Sequence, residues 1–277
     1  MRLSLEHLRQ QLSMLETPYS PRLQNAVLFA VEAGQQTLNH FQDNQLQVEI
    51  KDDRSPVTVA DTDAESLLRE RITAAFPDDS ILGEEFEDVH GTSGYRWIID
   101  PIDGTKSFIS GVPLYATLVG IEFQGESQIG VIYLPALDEL IFAQTGQGVH
   151  YCRGNSELSV PCVSDVKALS DSCFVTTQLS SYDQTDRRDR YQVIEEKASI
   201  TRTWGDAYGY LLVATGRAEV MIDPVMNVWD AAAILPILQE AGGTFTDWQG
   251  VSTIHNAEGI ATNGHCLQEV LDITRDA

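Results

Sequence analysis

Residues 97–111 read W-I-I-D-P-I-D-G-T-K-S-F-I-S-G, and the acids in this stretch give the first chemical signal. Trp97, Ile98 and Ile99 suit a buried strand; Asp100 falls at its end, and Pro101 is expected to stop it. Asp103 follows three residues after Asp100, and Gly104 and Thr105 open a short helix. Two carboxylates at the end of a strand offer oxygen-only ligands, which suit a hard cation such as Mg²⁺. Backbone N–H groups at a helix start suit a phosphate. Taken alone, D-P-I-D-G reads equally as a turn, because Asp-Pro and Asp-Gly pairs favour turns. Its company along the chain separates the two readings.

That company is acidic. The run S-I-L-G-E-E ends a short buried strand in Glu84 and Glu85, 16 residues before Asp100, so adjacent strands would bring Glu84 beside the D-P-I-D turn. Asp61 and Asp63 fall in the first turn of a helix, where acids oppose the helix dipole, and Asp63 is assigned that role alone. Asp206 begins the helical run A-Y-G-Y-L-L-V-A-T-G, and Asp223-Pro224 repeats the strand-then-Asp-Pro layout of Asp100-Pro101. Asp230 lies in the first turn of a largely buried helix, where it serves the dipole or a ligand.

The elements that must position these acids follow from periodicity and punctuation. Helices are expected over 3–16, 21–41, 59–76 and 206–216, and one unbroken helix over 227–243 closed by Gly242-Gly243. Leu67, Leu68, Ile72 and Ala75 are expected to share the buried face of the third. Strands are expected at 45–51, 80–83, 116–123, 128–134, 173–177 and 218–222, with further pieces over 139–151, and 259–263 is read as structural. Loops are expected at 51–56 and 153–170, with a charged loop or helix start at 180–190 and a last helix from about residue 265.

Composition limits the partners. The 277 residues carry 18 basic and 41 acidic side chains, a net charge of −23, which would repel a nucleic acid. The same field repels a small phosphate unless bound divalent metal reverses it locally. Cys152, Cys162, Cys173 and Cys266 lack C-x-x-C spacing, so neither a zinc site nor a disulfide scaffold is expected. With no signal-like or membrane-length apolar run, the expectation is a cytoplasmic protein with no membrane partner.

In order and spacing, G-E-E (83–85), D-P-I-D-G-T (100–105) and W-D-A-A-A…E-A-G-G (229–243) resemble the signatures of the inositol-monophosphatase-like phosphatases, over nearly the whole chain. The resemblance implies an α/β (α+β) fold: a layered αβαβα sandwich forming one phosphatase unit. Its lobes would cover 1–150, with the metal site, and 151–277, an α/β lobe completing that site. It further implies a homodimer that hydrolyses a small phosphorylated metabolite with about two or three Mg²⁺ per site. By position, Glu84, Asp100, Asp103, Asp230 and the carbonyl of Ile102 become metal ligands. Asp61 and Glu84 lie near the nucleophilic water, the Thr105 hydroxyl orients it, and the N–H groups of Gly104 and Thr105 hold the phosphate. Phosphomonoester hydrolysis is among the slowest uncatalysed reactions, and two metals can clamp the attacking and leaving oxygens.

Within that family, D-G-T-K-S-F (103–108) and R-T-W-G-D-A-Y-G-Y-L-L-V-A-T-G-R (202–217) are most similar to the histidinol-phosphatase branch. Inositol-type members usually carry a glutamate seven residues before the W-D aspartate, where this chain has Asp223. Histidinol phosphate bears an ammonium and an ionisable imidazole, so an anionic rim of Asp206 and Asp223 would suit it. Arg202 is placed among the substrate contacts, with a structural ion pair as its alternative, and Lys106 is expected to face solvent. The rival readings are an inositol monophosphatase, a nucleotide 3′-phosphatase, a fructose-bisphosphatase and a non-catalytic Mg²⁺-binding module. The last would lack a metal-motif acid, and none is missing; a nucleotide enzyme would need a basic or aromatic cradle, and none is obvious.

Overall fold

Successive side chains of a strand point to opposite faces, so the fully buried run Trp97, Ile98 and Ile99 requires cover on both sides. The computed structural model, which describes residues 2–15, 19–52 and 54–275, supplies it. Residue 16 at the end of the first expected helix and Asp53 of the expected loop lie outside those residues. The chain opens with α1 (Leu5–Ser13), α2 (Pro21–Thr37), a hairpin of β1 (Val48–Ile50) and β2 (Pro56–Thr58), and α3 (Val59–Ala75). Next come β3 (Ser80–Gly83), β4 (Tyr95–Asp103), α4 (Thr105–Ile109), β5 (Ala116–Phe123), β6 (Glu126–Leu134), β7 (Glu139–Gln144) and β8 (Val149–Arg153). The second half carries β9 (Cys173–Thr176), α5 (Leu179–Gln184), α6 (Arg188–Lys197), β10 (Ile200–Arg202), α7 (Ala207–Ala214) and β11 (Val220–Asp223). It ends with α8 (Val228–Ala231), α9 (Ile234–Glu240), β12 (Thr244–Thr246), β13 (Gly259–Thr262) and α10 (Leu267–Thr274).

Strands β3 to β8 form a six-stranded sheet in sequence order, parallel only between β3 and β4. On one face Trp97, Ile99, Val119 and Tyr133 pack with Leu8, Leu23, Val27 and Leu68 of α1–α3. On the other, Ile98, Leu118, Ile132 and Ile141 meet Leu211, Ala232, Ile234 and Leu238 of the α7–α9 region. The same cluster continues into Val175, Met221 and Ala261 of a five-stranded sheet ordered β10-β9-β11-β13-β12. The far face of that sheet, Phe174, Val220 and Ile222, is covered by Ile194 of α6 and Val270 of α10. Helices, sheet, helices, sheet and helices are therefore stacked as an αβαβα sandwich. No helix among the described residues is long and apolar enough to cross a membrane.

Several boundaries differ from expectation for identifiable reasons. Strand β4 does not stop at Pro101 but runs to Asp103, because Pro101 sits in a bulge where no N–H is needed. Its carbonyl is held by Thr117 Oγ1 at 2.8 Å. The expected helix over 227–243 is two helices. Pro236 cannot donate to the carbonyl of Ala232 and its ring crowds that group; Ala232 O accepts from Ser127 Oγ at 3.0 Å instead. Helix α2 ends at Thr37, and Phe41 reaches Phe108 and Tyr115 from the following turn. On α3, Ala75 is exposed and the buried line is Ala60, Ala64, Leu68 and Ile72, with two acids, Asp61 and Glu65. The charged stretch 180–190 is split between α5 and α6.

The helix break rests on two glycines. A Cβ on Gly120 would sit 2.5 Å from Ala232 Cβ, and one on Gly130 would strike the carbonyl oxygen of Ala233. Only bare backbone on β5 and β6 lets the α8–α9 junction, and Asp230 with it, approach the sheet this closely. Gly130→Ala should therefore destabilise the fold by about 1–3 kcal/mol through overpacking. Thermal unfolding followed by circular dichroism checks this, and an unshifted midpoint would show that the junction yields freely.

Candidate active site

Asp103 lies three positions after Asp100, and in a regular strand that odd spacing sends their side chains to opposite faces. The β4 bulge changes the parity. Asp100 pairs with Leu118 and Asp103 with Ala116, so three steps on β4 match two on β5. Leu118 and Ala116 share the face covered by α7–α9, and both aspartates are delivered to it. There Asp230, in the first turn of α8, completes a group whose carboxylate oxygens lie within 4.8 Å of one another.

Each carboxylate is aimed by local bonds. Asp100 Oδ1 accepts from Ile102 N at 3.0 Å, Asp103 Oδ2 from Ala207 N at 2.6 Å, and Asp230 Oδ2 from Asn227 N at 2.7 Å in a capping box. Asp61 Oδ2 accepts from both N and Oγ1 of Thr58 at 2.8 and 2.6 Å, and its Oδ1 receives Thr105 Oγ1 at 3.3 Å. The same hydroxyl lies 3.2 Å from the carbonyl of Ile102. Glu84, at the end of β3, accepts from Lys51 Nζ at 2.8 Å, as does Glu85. Buried Glu65 accepts the N–H groups of Glu85 and Phe86 at 2.8 and 3.3 Å and fixes the turn carrying Glu84. Asp63 is exposed and stays out of the group.

The electrostatics are those of acids lacking counter-charge. Burial, followed by Glu84, Asp103, Asp230 and Asp61, raises Asp100 well above the ordinary carboxylate range. Asp103 is raised likewise, by burial first and then by Asp206 and Asp230. Asp230 is pushed up to about 7 by burial and by Glu84, against the pull of its Asn227 hydrogen bond. Asp61 is raised by burial despite its Thr58 bonds. Burial also takes Glu85 to about 7 although Lys51 opposes the shift. Clustered hard oxygen donors of this kind fit a divalent cation, which would supply the missing positive charge.

Beside the acids opens a cavity of about 410 Å³, bounded by Asp103, Thr105, Lys106, Asp206, Asp223 and Asp230 among others. Gly104 turns into it at φ 88°, where a Cβ would come within 2.6 Å of Asp206 Oδ2. Asp223 Oδ2 accepts from Tyr210 Oη at 2.9 Å and Oδ1 from Thr177 N at 3.3 Å, and burial lifts its carboxyl to about 7. Asp206 is raised by burial, against the opposing influence of Lys106. Arg202 does not join them. It lies exposed on edge strand β10, bonds the carbonyl of Thr201 at 2.7 Å, stands over the Trp204 ring and is not part of the cavity wall. Lys106 is exposed, yet it forms part of the wall instead of pointing away into solvent. Lys51, Glu65 and Thr58 belong to none of the quoted motifs, and Tyr210 lies in the 202–217 stretch without a site role assigned from sequence.

A layered αβαβα fold with an acid cage at the head of a polar cavity defines a metal-dependent phosphatase. Residues 19–275 match the inositol monophosphatase family, and the chain belongs to that family. It is thus a phosphoric monoester hydrolase of a metal-dependent group. Among similar proteins, one named histidinol-phosphatase from Chlorobaculum parvum is 42% identical over 248 residues, spanning 90% of this chain and 94% of that protein. Another of the same name from Streptomyces coelicolor is 37% identical over 257 residues, spanning 91% and 96%. The crystal structure of extragenic suppressor protein suhB from Bartonella henselae superposes with a TM-score of 0.85 at 29% identity, covering 93% of this chain and all of that one.

The raised carboxyls imply a pH effect on the metal-free protein. Groups near 4 when unfolded and near 7 when folded bind more protons in the folded state across that window. Their contribution to stability is therefore present at low pH and lost as pH rises through about 7. In chelator, the unfolding midpoint of Asp230→Asn should fall less between about pH 5 and pH 7.5 than that of the unaltered protein, and Mg²⁺ should flatten the unaltered profile. Parallel slopes in chelator would show that Asp230 is not an uncompensated charge.

Proposed function

We propose that the protein hydrolyses histidinol phosphate to histidinol and phosphate, with Mg²⁺ held by Glu84, Asp100, Asp103, Asp230 and the Ile102 carbonyl. One observation carries the reading: a carboxylate cage for hard cations adjoins a cavity whose wall holds two further acids, buried Asp223 and half-buried Asp206. The cage serves a phosphate dianion once metal is present. The second pair serves a leaving group that is itself a cation. A polyol would leave these two carboxylates with hydroxyls alone as partners, a poorer match than an ammonium. The 42% and 37% identities to proteins named histidinol-phosphatase support the same substrate.

When bound, about two or three Mg²⁺ ions would neutralise phosphate charge and lower the pKa of an attacking water. The chain's own groups then divide the work. Thr105 Oγ1 donates its proton to Asp61 Oδ1 or the Ile102 carbonyl, which leaves its lone pairs to accept from water and fix that water's direction. Asp61 spends its second oxygen on Thr58, so it orients Thr105 without swinging. Glu84 lies on the same side and holds a water proton once released from Lys51. Backbone N–H groups of Gly104 and Thr105 bind the phosphate oxygens, and Asp206 and Asp223 seat the ammonium. Two lobes, about 1–150 and 151–277, meet at this cavity, and the enzyme works as a cytoplasmic homodimer on a small metabolite, without nucleic-acid or membrane partners.

Two measurements test this. Asp100→Asn and Asp230→Asn should each lower kcat/KM by more than about a hundredfold, the scale of removing one transition-state stabiliser, with circular dichroism unchanged. Turnover kept within about tenfold would take that residue out of the ligand set. Phosphate release with Mg²⁺ should favour histidinol phosphate over inositol 1-phosphate in kcat/KM. Equal or faster turnover of the inositol ester would overturn the substrate assignment while leaving the phosphatase class standing.

A further inference from the structure

The cavity wall holds one cation among its acids. Lys106 stands one residue past Thr105, in the first turn of α4, and its Nζ donates to Gln178 Oε1 at 3.0 Å. Gln178 is the N-cap of α5, in the half of the chain that carries the five-stranded sheet, and its Nε2 donates in turn to Ser181 Oγ at 2.9 Å. The amide is thereby fixed at both ends, with its oxygen committed to Lys106 and its nitrogen to Ser181. A lysine on a flexible four-carbon stem is in this way pinned across the mouth of the site. An ammonium has three donors, and this contact uses one.

Charges around the cavity are consequently sorted. Asp206 and Asp223 face it as acceptors, and Lys106 faces it as a donor. A leaving alcohol with a cation at one position and a neutral acceptor at another can satisfy both sets in only one orientation. We propose that Lys106 is a specificity-determining residue that donates a hydrogen bond to a neutral acceptor on the leaving alcohol, the unprotonated imidazole nitrogen of histidinol. Asp206 and Asp223 meanwhile take that substrate's ammonium, and Gln178 is the positioning residue that aims Lys106. The inference rests on the proposed substrate and adds a second recognition point to it. It also gives a role to the glutamine from the opposite half that holds the lysine following D-G-T, exposed though that lysine is.

The test compares histidinol phosphate with O-phosphoethanolamine, which has the ester and the ammonium but no ring acceptor. In Lys106→Met the ratio of their kcat/KM values should fall about tenfold, as expected for losing one charge-assisted hydrogen bond. The loss should appear in KM for histidinol phosphate and not in kcat, because the contact forms equally in ground and transition states. Lys106→Arg should recover part of the ratio, and Gln178→Ala should lower it less than Lys106→Met does. A ratio within about twofold of the unaltered enzyme in Lys106→Met would overturn the inference, given an unaltered enzyme that prefers histidinol phosphate to inositol 1-phosphate. An unaltered enzyme without that preference overturns the substrate reading and this inference together, so the two failures are told apart before any variant is measured.

Discussion

Mutual repulsion among buried carboxylates is the constraint to which the rest of this structure answers. Asp100, Asp103 and Asp230 bring oxygens within 4.8 Å of one another, with Glu84 and Asp61 close enough to raise Asp100 further. Like charges at such separation, removed from water, oppose folding unless protonated or paired with a cation. The scaffold must therefore hold the group together against its own field. It does so by giving each acid a fixed donor: Ile102 N, Ala207 N, Asn227 N, the Thr58 pair and Lys51. Charge-assisted bonds of this kind are the stronger class, and here most originate in backbone that cannot rotate away.

Convergence depends on departures from regular structure. Without the bulge, one of the two aspartates of β4 would face the α2–α3 layer, among Ile99 and Val119. Without Gly120 and Gly130, the α8–α9 junction could not settle on the sheet. Without Pro236, α8 would continue and the Ala232 carbonyl would lose its reason to turn toward Ser127. Each irregularity is a local disadvantage in strand or helix terms, and each places a carboxylate. Bulges are commonly found where a strand must re-aim side chains at a site.

Much of this could be read in the chain, and the unread part has a physical cause. The long elements follow from periodicity, and the layered fold is what three motifs imply through their resemblance, in order and spacing, to one family. Strands of three residues, such as β2, β10 and β12, have too few alternations to register. The split of 227–243 is not legible in apolar periodicity, which runs straight through Pro236; the proline and the close contacts from β5 and β6 together enforce it. Pro101 reads as a stop in the sequence because a proline argues against a central strand, and a bulge is the exception to that rule. The supporting residues were harder still. Lys51 reaches Glu84 across 33 positions and Gln178 reaches Lys106 across 72, and no local pattern encodes either meeting. Arg202 lies in a stretch similar to one branch of the family, and in the fold its side chain is exposed on an edge strand, outside the cavity wall.

The site divides into a half that does chemistry and a half that selects, and the chain's overall charge favours that division. A net charge of −23 repels any phosphate ester, so the cage needs divalent metal before a dianion can approach. Once that is met, the ester's remaining charge decides how the rest of the cavity responds. An ester with an ammonium is less repelled by the surrounding field than a neutral-alcohol ester. In the proposed function it also brings its own counter-ion to Asp206 and Asp223, two carboxyls that burial raises. The metal and the substrate's cation thus relieve two adjoining acid clusters by the same physical means. On the proposed reading, a site built in this way discriminates by charge before it discriminates by shape, with Lys106 setting the direction of the leaving group.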